Sequence, residues 1–188
     1  MQKATGSNKA LIVDILTKAF DNNKSVNYII KQDERRIERI RELSSYSFEI
    51  CLRFGEIFIS EDKTACALIL LPDKKRTTAG SVISDLRLII KAMGLSNLSK
   101  ALKREKAIKK VHPPGLLYHI WYIGVEPQHQ GKGTGSLLLK DLIARAGNLN
   151  RIPVLETSAK NNIPWYQKHG FTIYSQLHFG FDFYCMKL

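Results

Sequence analysis

The stretch Gly124-Val125-Glu126-Pro127-Gln128-His129-Gln130-Gly131-Lys132-Gly133-Thr134-Gly135-Ser136 is the part of this sequence most suited to chemistry. Its three glycines at alternate positions let backbone come close to a ligand and turn successive N–H groups inward. The helix predicted to follow adds the positive end of its dipole. A loop of that kind binds phosphate oxygens. It is not G-x-x-x-x-G-K-[ST], because Lys132 precedes the second glycine, and it is not the dinucleotide G-x-G-x-x-G, because the spacing here is Gly131-x-Gly133-x-Gly135 and the strand before it lies late in the chain.

These residues need elements to position them. Leu116–Val125 is a continuous apolar and aromatic run, the pattern of a strand buried on both faces, and Ser136–Ala146 carries helical periodicity. Pro153–Thr157 reads as another strand, Ile163–Lys168 as a short helix, and Phe171–Phe179 with Phe181–Leu188 as a hairpin about Gly180. Upstream, apolar spacing predicts a helix over 8–20, with Ser7 or Asn8 as its N-cap, and a second helix opened by Asp33-Glu34 and ended by Gly55. The runs EIFIS and TACALILL then form a hairpin, and residues 80–110 turn helical with a break at Gly94. The order predicts a mixed α/β sheet in one domain spanning 1–188.

Composition bounds the function. The 188 residues hold 29 Lys and Arg against 17 Asp and Glu, a net charge of +12, with 44% hydrophobic and 24% charged residues. That is globular composition, and apolar runs such as Ala65–Leu71 fall far short of the ~20 residues a membrane helix needs. No basic segment followed by an apolar stretch opens the sequence, so a secretory signal is not expected. Three cysteines without a C-x-x-C fit a reducing cytoplasm rather than a disulfide framework or a zinc site, and no metal is expected. The positive excess suits nucleic acid, an anionic surface or a small polyanion.

Two motifs at matching separation narrow this. Gln128, Gly131 and Gly133 make Q-x-x-G-x-G after a V-x-P turn, and LETSAKNNIPWYQKHGF at 155–171 ends in Tyr166-x-x-x-Gly170-Phe171. Both resemble the GNAT superfamily of acetyl-CoA-dependent N-acetyltransferases. The segment E-T-S-A, the following N-x-P-aromatic-Tyr and the closing Cys185-Met186 are most similar to its puromycin N-acetyltransferase-like members. The resemblance is strong over 116–188; before that only the order of elements agrees.

The resemblance implies a mostly antiparallel sheet flanked by helices, with its central strands splayed between the one ending at Val125 and the one starting at Pro153. It implies acetyl-CoA as cosubstrate. Its pyrophosphate would lie against Gln128, Gln130, Gly131, Lys132, Gly133, Thr134, Gly135 and Ser136, and its pantetheine arm against Ile123, Gly124, Val125 and Asn162. Tyr166 would give a proton to the departing thiolate, and the N–H near Ile123 would stabilise the oxyanion. Glu156 and His119 both could serve as base toward the amine. The acceptor implied is a primary amine, of a small molecule, attacking directly in a ternary complex; a protein or peptide acceptor and a homodimer stay open. The helical insertion at about 78–111 would cover the acceptor site. Its basic run Lys100, Lys103, Arg104, Lys106, Lys109, Lys110 reads as a solvated face, with a ribosome- or nucleic-acid-associated module as the rival from another class, disfavoured by the lack of any RNA-recognition motif.

Overall fold

A computed structural model describes residues 1–188. Seven strands form one sheet in the order β1-β2-β3-β4-β5-β7-β6, where β1 is Gln2–Lys3, β2 Gly55–Ile59, β3 Ala65–Leu70, β4 Leu117–Val125, β5 Ile152–Thr157, β6 Thr172–His178 and β7 Asp182–Lys187. Every neighbouring pair is antiparallel except β4 with β5. The mixed, mostly antiparallel sheet expected from the sequence is therefore present.

Alternation along the strands divides the core into two layers. Ile57 and Ile59 of β2, with Cys66, Leu68 and Leu70 of β3, face helices α1 (Lys9–Ala19) and α3 (Arg36–Phe54). Phe58, Ala65, Ala67 and Ile69 face the other way, onto α6 (Thr134–Asn148) and α7 (Ile163–Lys168). Helix α3 presents Ile40, Leu43, Ser47, Cys51 and Phe54 at steps of three and four, and all five are buried. The helical insertion consists of α4 (Ala79–Leu88), a π-helical turn over Ile89–Met93, and α5 (Leu95–Val111). No helix is long and apolar enough to cross a membrane.

Several local expectations are revised. A short helix α2 (Lys24–Ile29), capped by Asn23 Oδ1 accepting from Val26 N–H at 3.0 Å, fills a stretch with no predicted element. Asn8 does precede α1, but its side chain accepts from Thr5 N–H at 2.9 Å instead of capping the helix. Asp33 stands ahead of α3 rather than in its first turn; it clasps Arg39 through bonds of 2.8 and 2.6 Å. Helix α6 starts two residues early, at Thr134, so the glycine loop feeds straight into its first turn.

Candidate active site at the strand fork

The parallel strands β4 and β5 pair only through Leu117↔Ile152, Tyr118↔Pro153 and His119↔Val154. Beyond that point β4 continues to Val125 on the arm of β3, and β5 continues to Thr157 on the arm of β7. The two strands part and leave a fork. Within β4 the pairing with β3 skips from Tyr122 to Ile120, so Trp121 is the extra residue of a bulge. The bulge breaks the alternation: Trp121 and Tyr122 both lie against the α1–α3 layer, and Ile123 and Val125 turn toward α6.

The fork opens into a cavity of about 760 Å³. Of the residues expected at a cosubstrate, Ile123, Gly124, Val125, Gln130, Gly131, Gly133, Thr134, Gly135, Ser136, Asn162 and Tyr166 line it. Gln128 and Lys132 do not, so Lys132 is not placed to add its charge from the cavity wall. Gly131 and Gly133 hold φ of +77° and +90°, a region costly for any residue with a Cβ, and a Cβ on either would meet no protein atom within 4 Å. The space over the loop is open, and Gly133 sits where α6 leaves the N–H groups of its first turn without helical acceptors. That donor cradle fits the pyrophosphate of coenzyme A. Gly124 answers a packing need instead, since a Cβ there would stand 3.1 Å from Leu16 Cδ2. Sequence reasoning missed the wall formed by Lys18, Ala19, Phe20, Asn22 and Asn23 at the end of α1, because no local signal marks it. It also missed His129 and Ala159; Trp165, read from the sequence as core or pocket wall, does line the cavity, and its Nε1–H donates to Ser136 Oγ at 2.9 Å and ties α7 to the start of α6.

Tyr166 enters from the α6–α7 layer, its ring 4.7 Å from that of Trp165. Burial is the one cause that pushes its phenol above the ordinary value, so it stays protonated at neutral pH.

His119 and Glu156 face the opposite layer, since their neighbours Tyr118, Ile120 and Leu155 all point into the α6 core. Glu156 is buried between two imidazoles: His119 Nε2 lies 2.7 Å from Oε2 and His112 Nε2 lies 3.0 Å from Oε1. Burial alone would raise the Glu156 carboxyl, but His119 and His112 outweigh it and hold the group well below the usual carboxylate range. An ionised carboxylate only accepts, so both imidazoles present Nε2–H to it. The three groups also bring their ligand atoms within 4.8 Å of one another, but each imidazole Nε2 carries its hydrogen toward the carboxylate and so has no lone pair to offer a metal ion, while the carboxylate oxygens keep further acceptor capacity. His112, between α5 and β4, was absent from the sequence-derived candidates.

A second cavity of about 50 Å³ adjoins the first and shares Phe20 and Asn23 with it. Glu156 lines it at one place and Arg104 of α5 at another, among Trp121, Tyr122, Val26 and Phe183. The expected solvated run on α5 divides accordingly: Lys100, Lys103, Lys106, Lys109 and Lys110 are exposed, and Arg104 turns inward.

Residues 99–173 match the sequence model of the family described as acetyltransferase (GNAT) domain. Among solved structures, one described as histone acetyltransferase HPA2 and related acetyltransferase from Corynebacterium glutamicum is 20% identical with a TM-score of 0.70, covering 99% of this chain and 93% of that one. The C-terminal condensation domain of Ebony, in complex with β-alanyl-dopamine, has a TM-score of 0.73 at 10% identity, over 100% and 96% of the two chains. Arylalkylamine N-acetyltransferase 2 from Aedes aegypti has a TM-score of 0.64 at 15% identity, over 100% and 96%. These likenesses are of fold. The sequence match takes in β4, the glycine loop, α6, β5 and α7, which are the elements that build the cavity.

Proposed function

We propose that this protein is an N-acetyltransferase that moves acetyl from acetyl-CoA to a primary amine of a small molecule, by direct attack within one domain. The observation that carries the reading is the joining of the positive-φ glycine loop, the unpaired edge of β4 at Ile123–Val125 and the Tyr166 phenol in one cavity. When bound, acetyl-CoA supplies an acetyl group already activated as a thioester. Gly131, Gly133 and the first turn of α6 hold phosphate oxygens through N–H groups, and the end of β4 offers backbone groups to an extended arm. The N–H near Ile123 stabilises developing negative charge on the carbonyl oxygen. Tyr166 keeps its proton until a thiolate needs it.

The proton leaving the amine passes to the cluster on the other face. Glu156 touches the smaller cavity but is held too acidic to keep a proton near neutral pH, so it orients and polarises its neighbours. We assign His119 as the resting place of that proton, reached through water, with the ionised carboxylate stabilising the imidazolium. The likeness of E-T-S-A and N-x-P-aromatic-Tyr to puromycin N-acetyltransferase-like members supports the reaction type, acetyl transfer to an amine. A thiol-release assay across puromycin, polyamines, aminoglycosides, amino acids and peptides tests the reading. Amine-dependent release supports it, and no release with any amine contradicts it.

A further inference from the structure

The inner stripe of α5 runs Asn97, Ala101, Arg104, Ile108, Val111, at steps of four, three, four and three. Four of these positions are spent on packing or satisfied: Asn97 Nδ2 donates to Ile30 O at 3.0 Å, Ala101 packs on the α1–α3 core, and Ile108 and Val111 pack with Phe183 and Cys185. The fifth is a guanidinium in a place built for an apolar side chain. It lies over the Phe183 ring at 5.5 Å, its Nη1 reaches Ser25 O only at 3.5 Å, and its Nε–H is shielded from water with no acceptor.

The other inward arginines are treated differently. Arg39 grips Asp33, Arg151 grips Asp73 and Arg145 grips Glu56, each with a carboxylate of the chain. Arg104 has no such ion pair. Of the charged and titratable groups near it, Glu105 points to Lys75 and Lys109, Tyr28 and Tyr122 are phenols, and Glu156 is engaged by two imidazoles elsewhere on the same cavity.

Resting on the acetyl-transfer reading, we propose that Arg104 binds a carboxylate of the acceptor itself, which makes the substrate class an amine that also carries a carboxylate, of amino-acid type. The smaller cavity presents an anion, Glu156, and a cation, Arg104, to one occupant. An ammonium placed toward Glu156 and a carboxylate toward Arg104 match both, and Arg is the side chain whose planar fork fits a carboxylate edge. The volume of about 50 Å³ is that of roughly three to five waters by the space one water needs, close to the amino and carboxyl ends of a single amino acid. Trp121, Tyr122 and Val26 leave an apolar wall for the remainder.

The test is thiol release with matched acceptors: phenylalanine against phenethylamine and phenylalanine methyl ester, tryptophan against tryptamine, and β-alanine against O-phosphoethanolamine. The carboxylate member should lead by about 100-fold or more in kcat/KM, as for a site whose polar group is left unpaired by the wrong substrate. Arg104→Met and Arg104→Gln should erase that preference, Arg104→Lys should keep part of it, and all three should retain the thermal shift given by acetyl-CoA. Equal or better turnover of the amine without a carboxylate overturns the proposal. So do preference for the phosphate, a preference unchanged in both Arg104→Met and Arg104→Gln, or no turnover of any carboxylate member by an enzyme that binds acetyl-CoA. Failure of the wild type to bind acetyl-CoA would instead overturn the acetyl-transfer reading beneath it.

Discussion

His119 Nε2 and Glu156 Oε2 meet at 2.7 Å across the point where two strands separate: His119 closes the last backbone pair of β4 with β5, and Glu156 lies two residues past its partner Val154. A side-chain bond thus takes over where the ladder stops. It joins the arms of the fork diagonally on the face opposite Tyr166, so the protonated phenol and the ionised carboxylate flank the gap from two sides.

Glu156→Gln keeps the shape and removes the second acceptor, which leaves one imidazole N–H facing an amide N–H. The expected loss is about 2 kcal/mol, the cost of an unsatisfied buried donor, or roughly 4–8 °C in Tm for a chain of this size. The wild-type carboxyl is depressed in the folded state. Its contribution is therefore complete above the ordinary Glu value of about 4.3 and is lost as pH falls below that. Urea unfolding at pH 7 and at pH 3 should show the gap between wild type and variant shrinking in acid; a constant gap would contradict the assignment.

Tyr166→Phe removes one oxygen from a residue whose ring is held by Trp165 and Phe171. Turnover should fall by about 10²–10⁴, the usual worth of a positioned proton donor, with the KM for acetyl-CoA nearly unchanged. Unchanged kcat would remove the phenol from the proposed chemistry.

Gly133→Ala places a Cβ at φ +90° where nothing of the protein stands in its way. The backbone cost is about 1–2 kcal/mol. Calorimetry should show a modestly less stable protein that has lost most of its stabilisation by acetyl-CoA. Full retention of that stabilisation would argue against the loop as the phosphate cradle.

Much of this arrangement was legible before any coordinates. The strand ending at Val125, the helix at Ile163–Lys168 and the glycine loop have strong periods or special residues, and the structure has them in place. What escaped depends on contacts between distant segments. The bulge at Trp121 exists only against β3, α2 is too short for a period to show, and His112 looks like one more loop residue until Glu156 is beside it. Arg104 was hidden by its company, for a run of positive charges reads as one solvated face unless the helical phase of Asn97, Ala101, Ile108 and Val111 is followed through it.

Arg104→Met should raise stability, since it replaces a buried, unpaired donor with an apolar chain in an apolar stripe. The gain expected is about 1–3 kcal/mol, the penalty such a donor carries, measured by urea unfolding without ligands. A stability equal to or below that of the wild type would mean the guanidinium is already satisfied by the fold.

The most direct test of the central claim follows one acetyl group. The protein's own thiols, Cys51, Cys66 and Cys185, are all buried, with burial pushing Cys185 up to about 12, so they leave a thiol-release signal clean. Thiol release from acetyl-CoA and N-acetyl product, measured together by absorbance and mass spectrometry, should appear one for one, only with an amine present, and with no acetyl retained on the chain. Binding of acetyl-CoA without amine-dependent thiol release would contradict the account.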